Sequence, residues 1–246
     1  MGQSVKLLQM SSLLLALSVC ASAGALDELK SSASGNTGNK LMPKPAPALV
    51  VAAARRAAEK HLVQSSPVIN LKVAVWSEGA VDGLPDGLVF TGAAPARKAQ
   101  YKSLAGLGVK TILNLQGSHS DNSVFCSANG LDCVRYPILA FPKDFADNSY
   151  FRDAFRRLVK DTSDGKKVFV HCLGGKHRTG ALVLALKVRN TACGKTFDRA
   201  ALRSDIYNGL TAYGYDGKKY HDILFAWRRD VLSLVDEFEK NQWLCE

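Results

Sequence analysis

The chain has 246 residues, 47% of them hydrophobic, and a formal net charge of +10 at pH 7. That is enough apolar material for one α/β domain with extensions, and the body of the chain holds no long apolar run that would make it a membrane domain. The basic balance favours anionic partners through long-range steering, but no stacking platform or recognised motif accompanies it, so nucleic acid is not an expected partner.

Residues 1–23 read as an export signal. Lys6 precedes an apolar run over residues 13–21 that serine alone interrupts, and Ala21-Ser22-Ala23 supplies a small-x-small cleavage pattern. The run is short for a membrane span, so no stable insertion is expected after cleavage, and the destination is periplasmic or secreted. Residues 24–48 read as a flexible linker, rich in Ser, Gly, Asn and Pro from residue 31. Residues 49–84 form an N-terminal extension packing on the core, with an alanine-rich amphipathic helix over 49–63 and a strand over 68–76.

Residues 85–246 carry the pattern of an α/β domain with a central, mostly parallel sheet flanked by helices. A strand over 88–92, a helix over 96–107 and a strand over 110–115 imply a parallel pair with a right-handed crossover. The loop 116–121 then opens at the C-terminal edge of the sheet, where the sequence assigns no role to His119 or Asp121. Further strands are expected over 134–138 and, after the turn signal Asp164-Gly165, over 167–171. Helices follow over 178–190, 196–209 and 220–238. The stretch 211–219, with its tyrosines and lysines, reads as an exposed connection between the last two.

Between the strand ending at His171 and the helix starting at Arg178 stands His-Cys-Leu-Gly-Gly-Lys-His-Arg-Thr-Gly, residues 171–180. A helix start offers unpaired N–H groups and a positive dipole end, which together bind anions. The same field, with Arg178 and Lys176, lowers the pKa of Cys172 and favours a nucleophilic thiolate. Gly174 and Gly175 allow backbone conformations and close approach that side chains would obstruct. Arg178 can grip two phosphate oxygens at once, and Thr179 can offer its hydroxyl to the sulfur as it leaves.

Spacing alone is weak evidence, because Cys193 and Arg199 have the same separation; those two follow a helix, lack paired glycines, and read as a helix-to-helix connection. A nucleotide-binding Walker loop is excluded, since Val170 stands where its first glycine belongs and His177 where Ser or Thr is required. Gly194-Lys195-Thr196 fails likewise, with Arg189 in the glycine position.

The segment 171–180 resembles the signature of the cysteine-dependent protein tyrosine phosphatase superfamily. Its Gly-Lys-x-Arg-Thr-Gly pattern is most similar to atypical dual-specificity phosphatases, several of which act on inositol phosphates. The resemblance implies the dual-specificity-like phosphatase fold, with Cys172 as nucleophile, Arg178 as phosphate clamp, Thr179 as thiolate partner and His171 ordering the loop from behind. Leu173, Gly174, Gly175, Lys176, His177 and Arg178 would surround the phosphate, with no metal and no cofactor required. Leu173 departs from the lysine that polyphosphate-cleaving relatives often carry. Lys176 and His177 are expected to hold a second anionic group.

Relatives place a general acid, an Asp, on a loop before the nucleophile. The loop after strand 134–138 holds Asp144 and Asp147, of which Asp144 is preferred, since Asp147-Asn148-Ser149 resembles a helix N-cap. Asp161 and Asp164 belong to the opposite end of the strand and read as solvated turn residues. Loss of Cys20 with the signal leaves five cysteines: with Cys172 kept free, Cys126 pairs with Cys133 and Cys193 with Cys245, although a regulatory bond to Cys172 stays open.

The leading expectation is a monomeric, secreted or periplasmic phosphomonoesterase acting on a small phosphorylated anion, inositol polyphosphate before phosphotyrosine. An inactive phosphoanion-binding module and a thiol-based sulfur transferase are the alternatives.

Overall fold

Val168 and Val170 face one side of β5 (Lys167–Cys172) while Phe169 and His171 face the other, and all four are fully buried. A strand buried on both faces lies inside a sheet covered on both sides. In this computed structural model, which describes residues 63–74, 88–139, 145–216 and 221–246, the sheet has the order β1-β2-β5-β3-β4. Its members are β1 (Lys72–Val73), β2 (Val89–Ala93), β3 (Val109–Asn114), β4 (Asp132–Arg135) and β5. The pairs β2/β5, β5/β3 and β3/β4 are parallel, and β1 adds an antiparallel edge to β2.

The helices are α1 (Lys98–Gly106), α2 (Ser123–Ala128), α3 (Ser149–Ser163), α4 (His177–Ala192), α5 (Arg199–Ala212) and α6 (His221–Asp236), followed by two short 3₁₀ turns. On one face of the sheet, Phe90, Ile112 and Phe169 pack with Tyr101 and Leu104 of α1 and Cys126 of α2. On the other, Val89, Leu113, Val168, Val170 and Cys172 pack with the buried sides of α3 to α6. Cutting a wholly buried Ile, Leu or Phe of this kind to alanine costs about 2–5 kcal/mol, which is how the two layers hold the sheet.

Helix α4 is buried from Thr179 through Leu186, so it is the central helix of its layer rather than an amphipathic surface one. Helix α3 is amphipathic: Phe151, Ala154, Phe155, Leu158 and Asp161 are buried. Its N-cap is Asn148, whose side chain accepts from Phe151 N at 3.0 Å, not Asp147. Asp161 is a second correction. It is buried inside α3 and paired with Arg157 and Lys166 at 2.7 and 3.2 Å, whereas Asp164 is the half-exposed C-cap.

Element boundaries moved for local reasons. The expected strand 68–76 is reduced to Lys72–Val73 because Asn70 takes a positive φ of 56°; residues 75 and 76 lie outside the described part. The helix expected from 196 begins after Asp198, whose carboxylate caps Ala201 N at 3.0 Å. The ladder of β4 stops at Arg135, before Pro137. The signal, the linker and the helix 49–63, except residue 63, lie outside the described residues. Among the described residues no helix is long and apolar enough to cross a membrane. The sulfurs of Cys126 and Cys133, and of Cys193 and Cys245, sit at bonding distance, and Cys172 is free and buried.

Candidate active site

Four residues, Leu173 to Lys176, join the end of β5 to the first turn of α4. Gly175 makes the turn possible: its φ is +65°, and a Cβ there would stand 2.1 Å from the Gly92 carbonyl, so only glycine lets the loop lie on the end of β2. The Leu173 carbonyl accepts from Ala94 N at 3.1 Å and the Gly174 carbonyl from Asn70 Nδ2 at 3.1 Å. Two loop carbonyls are thereby committed to neighbours. The amides of Lys176 and Thr179 meet the Cys172 sulfur.

Burial pushes the Cys172 thiol up, but the Thr179 hydroxyl, the Arg178 charge and those two amides outweigh it and hold the thiol below its ordinary value. Thr179 Oγ1 is fully buried and has no conventional hydrogen-bond partner, which leaves the sulfur as its interaction. Thiolate, hydroxyl and guanidinium therefore converge on one point.

Arg178 is anchored before it touches any ligand. Its Nη1 donates to the Leu115 carbonyl at 3.0 Å and to the Ile138 carbonyl at 2.8 Å, at the ends of the segments that follow β3 and β4. The Nε–Nη2 edge then presents two parallel donors, the geometry that grips two oxygens of a phosphate. Lys176 is exposed, with its stem beside Gly214. Leu173 is 70% exposed at the lip.

His177 does not match its expectation. Its ring packs edge-on against Tyr215 and Trp227, at centroid distances of 5.3 and 5.8 Å, and Nε2 donates to the Gly214 carbonyl at 3.3 Å. Burial, then the Lys176 and Arg178 charges, lower its pKa despite the Gly214 hydrogen bond, so it supplies no second cation. Its backbone N–H still belongs to the helix start.

His171 lies behind the loop, wholly buried. Nδ1 is 3.1 Å from the Cys172 carbonyl, and Nε2 is 3.2 Å from Asp121 Oδ1 and 3.3 Å from Oδ2. Tyr101 contacts the same carboxylate at 3.1 Å. Burial raises the Tyr101 phenol to about 12, so it keeps its proton.

Asp144 lies outside the described residues, and the residues on either side of its segment are tied, directly or through Trp227, to the first turn of α4. Ile138 is held by Arg178, and buried Phe145 packs on Trp227, which in turn packs on His177. Asp147 is 81% exposed and paired with Arg152 at 3.2 Å. No group of three or more His, Cys, Asp or Glu suited to a metal ion occurs among the described residues.

Sequence reasoning missed Asn70, Tyr101 and Asp121, each supplied by a different segment. For Asn70 the one available signal was its residue type, which tolerates positive φ better than most. Gly180, the last residue of the motif, has a role the anion argument did not foresee: a Cβ there would stand 2.6 Å from Tyr213 Cγ, so it lets α4 pass under that ring.

Residues 84–202 match the family model described as Swiss Army Knife protein, DSP-PTPase phosphatase domain. Among solved structures, a DUF442 protein from Shewanella putrefaciens CN-32 is 18% identical with a TM-score of 0.46, over 70% of this chain and 91% of that one. The core catalytic domain of the PP-IP phosphatase SIW14 from S. cerevisiae is 19% identical with a TM-score of 0.40, over 63% and 89%. TpbA of P. aeruginosa is 20% identical with a TM-score of 0.44, over 63% and 88%. A search of curated proteins finds no match. Over residues 84–202, just under half of its length, the chain therefore matches a DSP-PTPase phosphatase domain.

Proposed function

We propose that this phosphatase hydrolyses phosphomonoesters through a cysteinyl-phosphate on Cys172, without a metal. The observation that carries the proposal is the depressed thiol pKa at a point where Thr179 and Arg178 converge. A thiolate needs no metal-activated water for the first displacement, and a permanently charged guanidinium supplies the charge compensation a metal otherwise gives.

The Cys172 thiolate attacks phosphorus in line, forming S–P as the P–O ester bond breaks. Asp144 gives its proton to the leaving oxygen, while Arg178 and the N–H groups over residues 173–178 hold the equatorial oxygens. Asp144, now a carboxylate, takes a proton from water as that water attacks phosphorus. The S–P bond breaks, Thr179 stabilises the departing sulfur, and orthophosphate leaves. Asp144 is favoured over Asp147 because its flanks dock on Arg178 and on His177 through Trp227, whereas Asp147 faces solvent beside Arg152.

For substrate, an inositol polyphosphate is favoured by the +10 chain and by exposed Lys176 and Lys72, which both lie against the turn at Ala212 to Gly214. A second substrate class has its own support: Leu173, Leu139 and Ile69 are 70%, 70% and 66% exposed on segments next to the loop, as an aromatic phosphotyrosyl group would require. Comparing kcat/KM for phytate and for a phosphotyrosine peptide decides between them, with preference for the peptide overturning the polyphosphate choice. Total loss of turnover in Cys172→Ser, with phosphate binding retained, is the expected result for the mechanism. Undiminished turnover in that variant would refute it.

The signal-like N-terminus and the two sulfur pairs at bonding distance support a reading in which the enzyme works in an oxidising compartment with Cys126–Cys133 and Cys193–Cys245 as disulfides. Peptide mapping without reduction tests this, and finding all five thiols free in the exported protein would reject it.

A further inference from the structure

We infer that Asp121 is a positioning residue of the nucleophile loop, sharing with His171 a proton that keeps the Nδ1 hydrogen of His171 on the Cys172 carbonyl. Alternation along β5 sends Cys172 toward the α3 to α6 layer and His171 to the opposite face, where α1 and the loop before α2 lie. That loop brings Asp121 to the ring, and Tyr101 of α1 aims it.

The hydrogen count is decisive. Nδ1 lies 3.1 Å from the Cys172 carbonyl, which can only accept, so Nδ1 carries a hydrogen. Nε2 faces both Asp121 oxygens within 3.3 Å, and His171 and Asp121 side chains are 0% and 6% exposed. A bare Nε2 against an ionised carboxylate would set lone pairs against each other where no water can intervene. A second hydrogen therefore lies between Nε2 and Asp121, whichever of the two it is assigned to. The pair as a whole is neutral, so it adds no net charge behind the thiolate and supplies one fixed donor.

That donor reaches the chemistry through the backbone. The Cys172–Leu173 peptide is planar and trans, so holding its C=O on His171 turns the Leu173 N–H the opposite way, toward the interior of the loop. Phe169 stacks on the ring at 5.6 Å and 24°, which limits its tilt. The phenol of Tyr101 lies between Asp121 Oδ1 and the Pro95 carbonyl at 3.1 and 3.0 Å and accepts from Asn122 N at 3.1 Å, so the carboxylate is fixed as well. Asn114 braces the same loop through the His119 carbonyl at 3.0 Å and Gln116 N at 2.8 Å. Among the described residues, the titratable groups facing the ring are Asp121 and, beyond it, Tyr101; Cys172, next along β5, points to the opposite layer.

The inference rests on Cys172 being the nucleophile, but its test reads the thiol and the ring and needs no substrate, so failure of either idea is told apart from failure of the other. Ring-nitrogen NMR of histidine-labelled full-length protein should show a hydrogen on Nδ1 of His171. In Asp121→Asn the side-chain amide donates to Nε2 and the Nδ1 hydrogen stays, so Cys172 should titrate with iodoacetate as in the parent. In Asp121→Ala the ring hydrogen is free to move to Nε2, and the Cys172 midpoint should rise by about one pH unit, a roughly tenfold loss of thiolate at a fixed lower pH. A bare Nδ1 in the parent protein, an alanine variant that titrates normally, or an asparagine variant as impaired as alanine would each overturn the proposal. Should Asp121→Ala fail to fold, the parent spectrum and the asparagine titration still decide it.

Discussion

Arg178 Nη1 donates to the Ile138 carbonyl at 2.8 Å, so the guanidinium is tied to the start of the segment that contains Asp144 before any phosphate arrives. Two functions meet in one side chain under the proposed mechanism: Nη1 holds the Leu115 and Ile138 carbonyls, and the Nε–Nη2 edge is left for the anion. A lysine keeps the charge but cannot hold two carbonyls and two phosphate oxygens in one plane. Arg178→Lys should therefore lower kcat by about 10²–10³-fold, the range for losing a transition-state donor. Steady-state kinetics check this, and a loss confined to KM would contradict it.

The depressed Cys172 pKa gives a prediction with a definite sign. Its folded value lies below that of an ordinary thiol, so ionisation contributes stability that is fully present above the unfolded pKa, near 8.5, and is lost as pH falls through the folded value. The advantage in thermal unfolding temperature of the parent over Cys172→Ala should be larger at about pH 9 than at about pH 6. Thr179→Val removes the strongest of the interactions that lower the thiol pKa and should raise the iodoacetate midpoint by about one unit.

As the proposed general acid, Asp144 must be protonated to act, so its loss should show on the alkaline side of the profile. In the parent, kcat/KM for an alkyl phosphate should fall as Asp144 ionises, and in Asp144→Asn that fall should disappear with a rate loss of about 10²–10⁴-fold. An aryl phosphate with a good leaving group should be much less affected. The matched measurement on Asp147→Asn should show no change in profile, because that carboxylate is exposed and paired with Arg152.

What was legible in the sequence was what is local. Cys172, the paired glycines, Arg178 and Thr179 lie within one strand, turn and helix, so their chemistry follows from spacing and from the dipole of the helix that begins there. The parallel centre of the sheet was legible for the same reason, since β2, β3 and β5 are short, largely buried runs set off by turn residues, whereas β4, Asp132–Arg135, carries a charge at each end and was expected further along. Asn70, Tyr101 and Asp121 were not legible, because their use depends on sheet order: β5 inserts between β2 and β3, which brings three segments far apart in sequence to one strand end. The burial of the His177 ring, which with the Lys176 and Arg178 charges lowers its pKa, was not legible because it comes from packing on Tyr215 and Trp227, two rings that no motif announces. Asp161 was misjudged because an acid near a turn looks solvated until Arg157 and Lys166 are seen on it.

Gly175 tests whether the loop conformation or only its charges bind phosphate. A methyl group there would sit 2.1 Å from Gly92 backbone atoms, which cannot move without shifting β2, and the residue would keep a φ of +65°. Gly175→Ala should thus pull the loop from β2 and weaken competitive inhibition by orthophosphate at least tenfold. Gly174→Ala, where nothing lies within 4 Å and φ is not positive, should be far milder. Equal effects at the two glycines would mean that the contact with Gly92 is not what shapes the loop.

The two cysteine pairs should differ in what they contribute. Cys126 and Cys133 are separated by 7 residues and Cys193 and Cys245 by 52. Chain-entropy arguments make closure of the longer loop worth about 4 kcal/mol against about 2 kcal/mol for the shorter. The longer link also joins the C-cap of α4 to the terminal 3₁₀ turn, whose Trp243 packs edge-on against Phe155 at 5.2 Å and Phe151 at 6.2 Å. Cys193→Ser should therefore lower the urea midpoint more than Cys126→Ser does, while leaving the Cys172 titration in place. Cys126→Ser should do the reverse in kind: a smaller stability loss, but a shifted Cys172 midpoint, because α2 follows directly on the loop that carries Asp121. Urea unfolding and iodoacetate titration of the two variants, with and without reductant, separate these effects, and identical behaviour of the two would show that neither link acts through the segment it closes.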